Sequence, residues 1–266
     1  MQSTVEVLQS LPRTTELAGR TALVTGSTSG IGEATARVLA AAGARVVVSG
    51  RDQTRADAVV RAITQSGGQA VAVTVDLNGS YDELRAFARA AEQAAGGRID
   101  ILVNNAGIYP VGPTEALPDS DLDALLAVNV RAPHVLVGAL APGMAERGDG
   151  VIVNIGSWMA RMGSPFGAMY TATKAAVEQL TRSWSAEYGR RGVRVNTVAP
   201  GITATPGNAD SQAVVETMAK QWTPVGVPVR PVDIAFAVRY LTLPEAAFLH
   251  ASRIDVDSGV NLTRVA

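Results

Sequence analysis

The sequence predicts an α/β fold: a three-layer, doubly wound parallel sheet with helices on both faces. Three observations carry that expectation. Short runs rich in Val, Ile and Leu alternate along the chain with longer Ala- and Leu-rich helical stretches. These runs are apolar throughout and do not alternate with polar residues, the pattern of strands covered on both faces. A glycine-rich turn joins the first run to the first helical stretch, a junction common in such sheets.

Taken in order, strands are expected at 21–25, 45–49, 70–75, 100–104, 151–155, 193–198 and 254–256. Helices are expected at 31–42, 54–65, 81–95, 120–146, 168–189, 210–222 and 232–243. Gly43 and Gly67 follow the first two helices, where glycine supplies the left-handed backbone that ends a helix. Asp52 stands where it can cap the second helix, and Pro118 introduces the fourth. Repeated strand–helix–strand units of this kind make a parallel sheet. No composition shift, long linker or repeat divides the 266 residues. Residues 17–266 therefore read as one domain, preceded by a short mobile extension at 1–16. The longest stretch between strands holds Pro206, Pro224, Pro228 and Pro231. Its part at about 203–230 is expected to be a segmented insertion covering a substrate site.

Composition narrows the chemistry. Cysteine is absent, which removes disulfides, thiolate metal sites and a cysteine nucleophile. His134 and His250 are the only histidines, too few for a three-histidine site, so no metal is expected. A formal charge of −1 without basic clusters argues against nucleic acid as a partner. Residues 1–17 lack the apolar run of a secretion signal, and no apolar run suggests a membrane span, so a cytoplasmic protein is expected. Serine, tyrosine, lysine, asparagine, carboxylates or a bound cofactor must do the work.

The turn reads Thr25-Gly26-Ser27-Thr28-Ser29-Gly30-Ile31-Gly32. Glycines there let the backbone turn tightly and approach a pyrophosphate, and the helix N-terminus offers N–H groups and its dipole. A methyltransferase would use a similar turn. The end of the second strand, Val48-Ser49-Gly50-Arg51, is more telling. An acidic residue there would bind the ribose hydroxyls of NAD(H). Here Gly50 leaves that space open and Arg51 can pair with a 2′-phosphate, which favours NADP(H) over NAD(H). Ser27 and Ser29 are expected to add hydroxyl contacts.

Tyr170 and Lys174 stand four apart in a helical stretch and so share a face. A neighbouring ammonium stabilises phenolate, and so would bring a tyrosine toward the working range of a general acid/base. Ser157 follows the fifth strand and can hydrogen-bond the substrate oxygen. A serine hydrolase is excluded, because Ser157 lacks a G-x-S-x-G elbow.

The ordered set of the 25–32 turn, Asn104-Asn105-Ala106-Gly107, Asn129, Ser157, Tyr170-x-x-x-Lys174 and Pro200-Gly201 resembles the short-chain dehydrogenase/reductase family. The resemblance runs from about Leu17 to Leu262. It implies a seven-stranded Rossmann sheet in the order 3-2-1-4-5-6-7 and hydride transfer to or from nicotinamide. It also implies Tyr170 as general acid/base, and Lys174 as the residue that binds the nicotinamide ribose. Ser157 would hold the reacting oxygen and Asn129 would anchor a proton relay. The cofactor would meet Gly26, Ser27, Ser29, Gly30, Ile31 and Gly32, with Asp76 and Leu77 at the adenine. Asn104, Ala106 and Gly107 would flank the adenosine ribose, and Pro200, Gly201, Thr203 and Thr205 the nicotinamide end. Family members are usually homotetramers, and a dimer is the alternative. Asp257-Ser258-Gly259 departs from the family's usual double glycine after the aspartate.

Ile108, Tyr109, Pro110, Trp158, Met159, Arg161, Met162, Val214, Val215 and Met218 should border the substrate. Most are apolar, so an apolar carbonyl or alcohol is expected, in an enzyme resembling the 3-oxoacyl-carrier-protein reductases. Arg161 is expected to face solvent. The alternatives are a non-catalytic nucleotide-binding regulator that keeps the fold, and an alcohol dehydrogenase that prefers NAD.

Overall fold

Seven strands carry the chain: β1 (Thr21–Val24), β2 (Arg45–Val48), β3 (Gln69–Ala72), β4 (Ile101–Asn104), β5 (Gly150–Ile155), β6 (Val193–Pro200) and β7 (Arg253–Val256). A computed structural model describes residues 2–263; Met1 and 264–266, the ends of the expected extension and domain, lie outside the described residues. The strands form one parallel sheet in the order β3-β2-β1-β4-β5-β6-β7. This is the expected Rossmann-type order.

Apolar residues along each strand divide between two cores. Ala22, Val24, Val46, Val48, Ile101, Val103, Val151 and Val153 face one side. Leu23, Val47, Leu102, Ile152, Val193 and Val195 face the other. Both faces exclude water, which is why the strands read as unbroken apolar runs. The first core is closed by α2 (Gly30–Ala41), α3 (Gln53–Gln65) and α9 (Pro231–Thr242), and the second by α4 (Tyr81–Ala95), α6 (Ala132–Glu146) and α7 (Ala168–Tyr188). Gly43 and Gly67 adopt φ of 101° and 77°, as helix-ending glycines should.

Three local expectations are corrected. β3 is assigned only to Ala72, although Val73 and Val75 still donate to the carbonyls of Val48 and Gly50. The single helix expected at 120–146 is α5 (Asp119–Leu126) and α6 joined by a π-helical turn at Ala127–Arg131. That turn carries Asn129, consistent with the association of such bulges with functional sites. The run Asp119–Glu146 is long and apolar enough to cross a membrane, but Leu125, Val128, Leu136, Leu140 and Met144 are buried in the protein core.

The N-terminal stretch, expected to be mobile, contains α1 (Thr4–Gln9), closed by a reciprocal cap between Ser3 and Glu6. Leu8 is buried against Ala34, Val38, Val232 and Ala235, and so bridges α2 and α9. Arg230 donates to Gln2 O, Arg37 to Leu8 O, and Arg239 pairs with Glu16. An apolar anchor and main-chain bonds at both ends explain the order.

Between β6 and α9, a short helical turn at Pro206–Ser211 leads into α8 (Gln212–Trp222). The stretch returns through a parallel bridge of Thr203 with Val229. Strand order reverses between β1 and β4, where doubly wound sheets open a crevice at their carboxyl ends.

Candidate active site

A cleft of about 660 Å³ opens at that switch point, walled by the loops after β1, β2, β3 and β4. Its floor is the glycine turn, held by close backbone approach. A Cβ on Gly32 would fall 2.2 Å from the Gly26 carbonyl oxygen, and one on Gly26 2.9 Å from Ala106. Gly26 and Gly30 also take φ of 62° and 57°, which favours glycine. Asn105 braces the turn, donating from Nδ2 to the carbonyls of Thr25 (2.8 Å) and Gly26 (3.1 Å). Ser29 sits at the N-cap of α2, and its side chain caps none of the first-turn N–H groups. Those donors and the helix dipole make the fit for a pyrophosphate.

Gly26, Ser29, Gly30, Ile31, Gly32, Arg51, Asp76, Leu77, Ala106, Gly107 and Thr205 all line this cleft. Ser27 does not. It is fully buried, donates to Val24 O and accepts from Ser49 N, so its hydroxyl is spent inside the turn. Thr28 faces the cleft instead, and the space expected beside Gly50 is filled by it: a Cβ there would lie 2.6 Å from the Thr28 methyl. Asn104 is likewise a sheet residue, donating to Asn154 Oδ1 at 2.8 Å, while its neighbour Asn105 serves the turn. Pro200 and Gly201 are buried, and Thr203 folds its hydroxyl onto Gly201 O. Gly201 is needed because the Asp257 backbone passes 2.4 Å from where a Cβ would stand.

At the far wall Arg51 is joined by Arg55, which sequence reasoning missed. Its signal was the place of a second arginine in the first turn of α3, the helix that directly follows Arg51 and the Asp52 cap. Asp52 lies between them, but its carboxylate is turned to cap α3 through the Arg55 N–H. Two guanidinium groups thus border one end of the cleft.

Ser157, Tyr170 and Lys174 do not line this cleft; they lie beside it, next to its lining residues Gly107 and Tyr109. Ser157 begins a short turn (Trp158–Arg161) after β5, and its Oγ accepts from Met159 N–H at 3.1 Å. Tyr170 comes from the first turn of α7. Burial pushes the Tyr170 phenol up, and the neighbouring Ser157 hydroxyl offsets part of that. This corrects the expectation that Lys174 sets it. The lysine Nζ lies 6.0 Å from the Tyr170 ring centre and donates to Ile155 O at 2.9 Å. Its own pKa is lowered to about 8 by the same burial. Gly107 passes so close that a Cβ there would lie 3.3 Å from both Lys174 Nζ and Asn129 Oδ1.

Asn129 is buried and clasps the backbone of Ile108 on both sides. Nδ2 donates to Ile108 O and Oδ1 accepts from Ile108 N, each at 2.9 Å, with a second donation to Thr173 Oγ1. It thus locks the loop after β4 to α7. Tyr109 closes this corner, with its ring edge-on to Tyr170 at 6.5 Å.

Trp158, Ile202, Ala219 and Val260 form an apolar cluster with Met159, Val215 and Met218, and Trp222 meets Trp158 edge-on at 6.2 Å. Arg161 is exposed, as expected, and its guanidinium also reaches at 3.0 Å the buried carboxylate of Glu178, which binds Arg253. No group of three metal-binding side chains occurs among the described residues.

A dinucleotide-type cleft beside a Ser/Tyr/Lys cluster defines the class of nicotinamide-dependent oxidoreductases. The family profile described as short chain dehydrogenase matches residues 20–230, and the chain belongs to that family. Its members are oxidoreductases that use NAD(P) on alcohol and carbonyl groups. Among curated relatives, 2-(S)-hydroxypropyl-CoM dehydrogenase 3 of Xanthobacter autotrophicus is 38% identical over 170 residues, covering 62% of this chain and 67% of that protein. A solved short chain dehydrogenase/reductase family protein is 42% identical with a TM-score of 0.85, over 93% of this chain and all of that one. The NADP-bound 3-oxoacyl (acyl-carrier-protein) reductase of Agrobacterium tumefaciens C58 is 33% identical with a TM-score of 0.86, over 91% of this chain and 94% of that one.

Proposed function

We propose that this chain is an NADP(H)-dependent oxidoreductase that interconverts a carbonyl and a secondary alcohol on a largely apolar substrate. The observation that carries the reading is the cluster of buried Ser157, Tyr170 and buried Lys174 beside the cleft, with Lys174 Nζ 6.0 Å from the Tyr170 ring centre and fixed to Ile155 O. Ser157 Oγ takes its hydrogen bond from Met159 N–H, so its own hydrogen is available to a substrate oxygen. Tyr170 gives its proton to that oxygen as a carbonyl is reduced, or takes one as an alcohol is oxidised. A nicotinamide bound in the cleft supplies or accepts the hydride. Lys174, charged below about pH 8, would hold the nicotinamide ribose and give a proton to the Tyr170 phenolate left after reduction, taking one back from the Asn129 side. Burial keeps the Tyr170 phenol protonated at neutral pH, the form that delivers a proton when a carbonyl is reduced.

Arg51 and Arg55, with the Thr28 hydroxyl, support a 2′-phosphate at the adenosine end. The cluster of Trp158, Met159, Val215 and Met218 supports an apolar substrate. Exposed Leu126 and Tyr81 line a groove with His134, Phe236 and Tyr240 stand out on α9, and Phe248 stands out beyond it. These faces support assembly with further copies of the same chain, as a homotetramer; light scattering reads the number of copies.

The test is NADPH and NADH oxidation, followed by absorbance, across aromatic, alicyclic and 3-oxoacyl carbonyls. Turnover with NADPH is expected for the wild type, and Tyr170→Phe should lose about 10²–10⁴-fold. Retained turnover in Tyr170→Phe would overturn the assignment.

A further inference from the structure

We infer that Tyr109 is a latch: its hydroxyl fastens the 205–211 segment over the cofactor cleft, and breaking that one bond governs nucleotide entry and release. The inference rests on the reading of the cleft as a dinucleotide site. Tyr109 leaves the loop after β4 and donates from its hydroxyl to Gly207 O at 2.7 Å, across 98 residues of sequence. On the opposite wall the same segment touches the glycine turn, for a Cβ on Gly30 would lie 3.5 Å from Thr205 and 3.9 Å from Pro206. The stretch Thr205–Gly207 thus crosses from the wall after β1 to the wall after β4, above the N-terminus of α2.

Little else holds it. Pro206, Gly207, Ala209, Asp210 and Ser211 are exposed, and no residue of this short turn is buried. Its internal bonds are local: Thr205 N–H to Asn208 Oδ1, Asn208 N–H to Thr205 O, and Asn208 Nδ2 to Thr203 O. These shape the segment but leave it free to swing as a unit about 203–205. Tyr109 supplies the long-range hydrogen bond to the opposite wall. A phosphate group held at the N-terminus of α2 would meet this crossing, so the nucleotide would enter and leave when the crossing lifts.

The latch is tied to the reacting end. Tyr109 keeps its ring edge-on to Tyr170, with an interplanar angle of 71°. Asn129 pins the preceding residue, Ile108, through both its N–H and its carbonyl. The loop that bears the latch is therefore rigid, and the segment it catches is the moving part. Tyr109 is half-exposed, so its hydroxyl can exchange Gly207 O for water at small cost. That reversibility suits a latch better than a permanent brace.

Tyr109→Phe removes the hydroxyl and keeps the ring against Tyr170. In the nucleotide-free protein, deuterium exchange at the Thr205, Gly207 and Asn208 amides should rise about three- to tenfold, the usual worth of one neutral hydrogen bond. Exchange in β4 and α7 should not change. NADPH release, followed by its fluorescence, should accelerate by a similar factor, with the pH profile of turnover unaltered because the ring contact survives. Tyr109→Leu should add a change in that profile. Wild-type exchange at the Thr205, Gly207 and Asn208 amides in Tyr109→Phe would overturn the latch, whatever the nucleotide. Failure of the wild type to bind NADPH would instead overturn the cofactor reading and leave the exchange result to decide the latch.

Discussion

The two walls of the cleft are built on opposite principles. The wall after β1 is backbone against backbone: Gly26 against Ala106, Gly32 against Gly26, with Asn105 bonded to two carbonyls beneath. The wall formed by 203–222 has exposed turns, one helix and aromatic edges, with Trp222 still 45% exposed. The first wall leaves no room for a methyl group; the second keeps much of its surface in water. On the proposed function, the close-packed wall would hold the cofactor phosphates and the more exposed one would meet the substrate.

The comparison breaks most sharply at Gly32. Gly32→Ala places a Cβ 2.2 Å from a carbonyl oxygen, and the backbone must move. A loss of about 3 kcal/mol is expected in denaturant unfolding, together with loss of nucleotide binding. A variant of wild-type stability would mean that the turn yields as easily as the cover.

Arg51→Ala tests the adenosine end of the same wall. Loss of a charge-assisted contact worth about 1.5–3 kcal/mol should weaken NADPH binding about 10- to 100-fold and leave NADH nearly unchanged. Equal losses for both nucleotides would remove the 2′-phosphate from the argument.

Lys174 probes the corner where the walls meet. Burial lowers its pKa from 10.5 to about 8, so at pH 7 the fold carries a buried ammonium at a cost of about 3 kcal/mol. The bond to Ile155 O is not part of that cost and is lost with the side chain. Lys174→Met should therefore gain about 1–2 kcal/mol at pH 7 while losing turnover. The sign follows from a folded pKa below the unfolded one: the cost is full below pH 8 and fades as pH rises to 10.5. The variant's advantage should therefore shrink across that window, and a constant difference from pH 7 to 10.5 would contradict it.

The smallest effect belongs to the cover. Trp222→Ala removes an edge contact with Trp158 and should cost less than about 1 kcal/mol in stability, with the change appearing in KM for apolar substrates. A stability loss equal to that of Gly32→Ala would erase the distinction between the walls.

Much of this was legible in the sequence. Strands buried on both faces announce themselves as apolar runs, and the glycine spacing of the turn follows from contacts a Cβ would block. Adjacent residues were harder to tell apart. Ser27 and Thr28, or Asn104 and Asn105, have similar chemistry, and which one enters the cleft depends on backbone angles such as φ of 62° at Gly26. α1 was missed because six residues give little periodicity, and its order comes from Leu8 and three distant arginines. The direction of the Tyr170 shift was misread because spacing places a charge nearby but says nothing of how deeply both groups are buried.

The π-helical turn at Ala127–Arg131 has a consequence for the phase of the chain around it. One residue advances an α-helix by about 100°. The wide turn absorbs one residue more than a regular helix would, so α5 and α6 are offset in rotation about nearly the same axis. Deleting a single residue there would leave the composition almost untouched and rewind the helix into regular pitch. Everything on one side of the cut would then face the wrong way: Asn129 would leave Ile108, or Leu136 and Leu140 would leave the core. For this stretch, length is as much a part of the code as residue type.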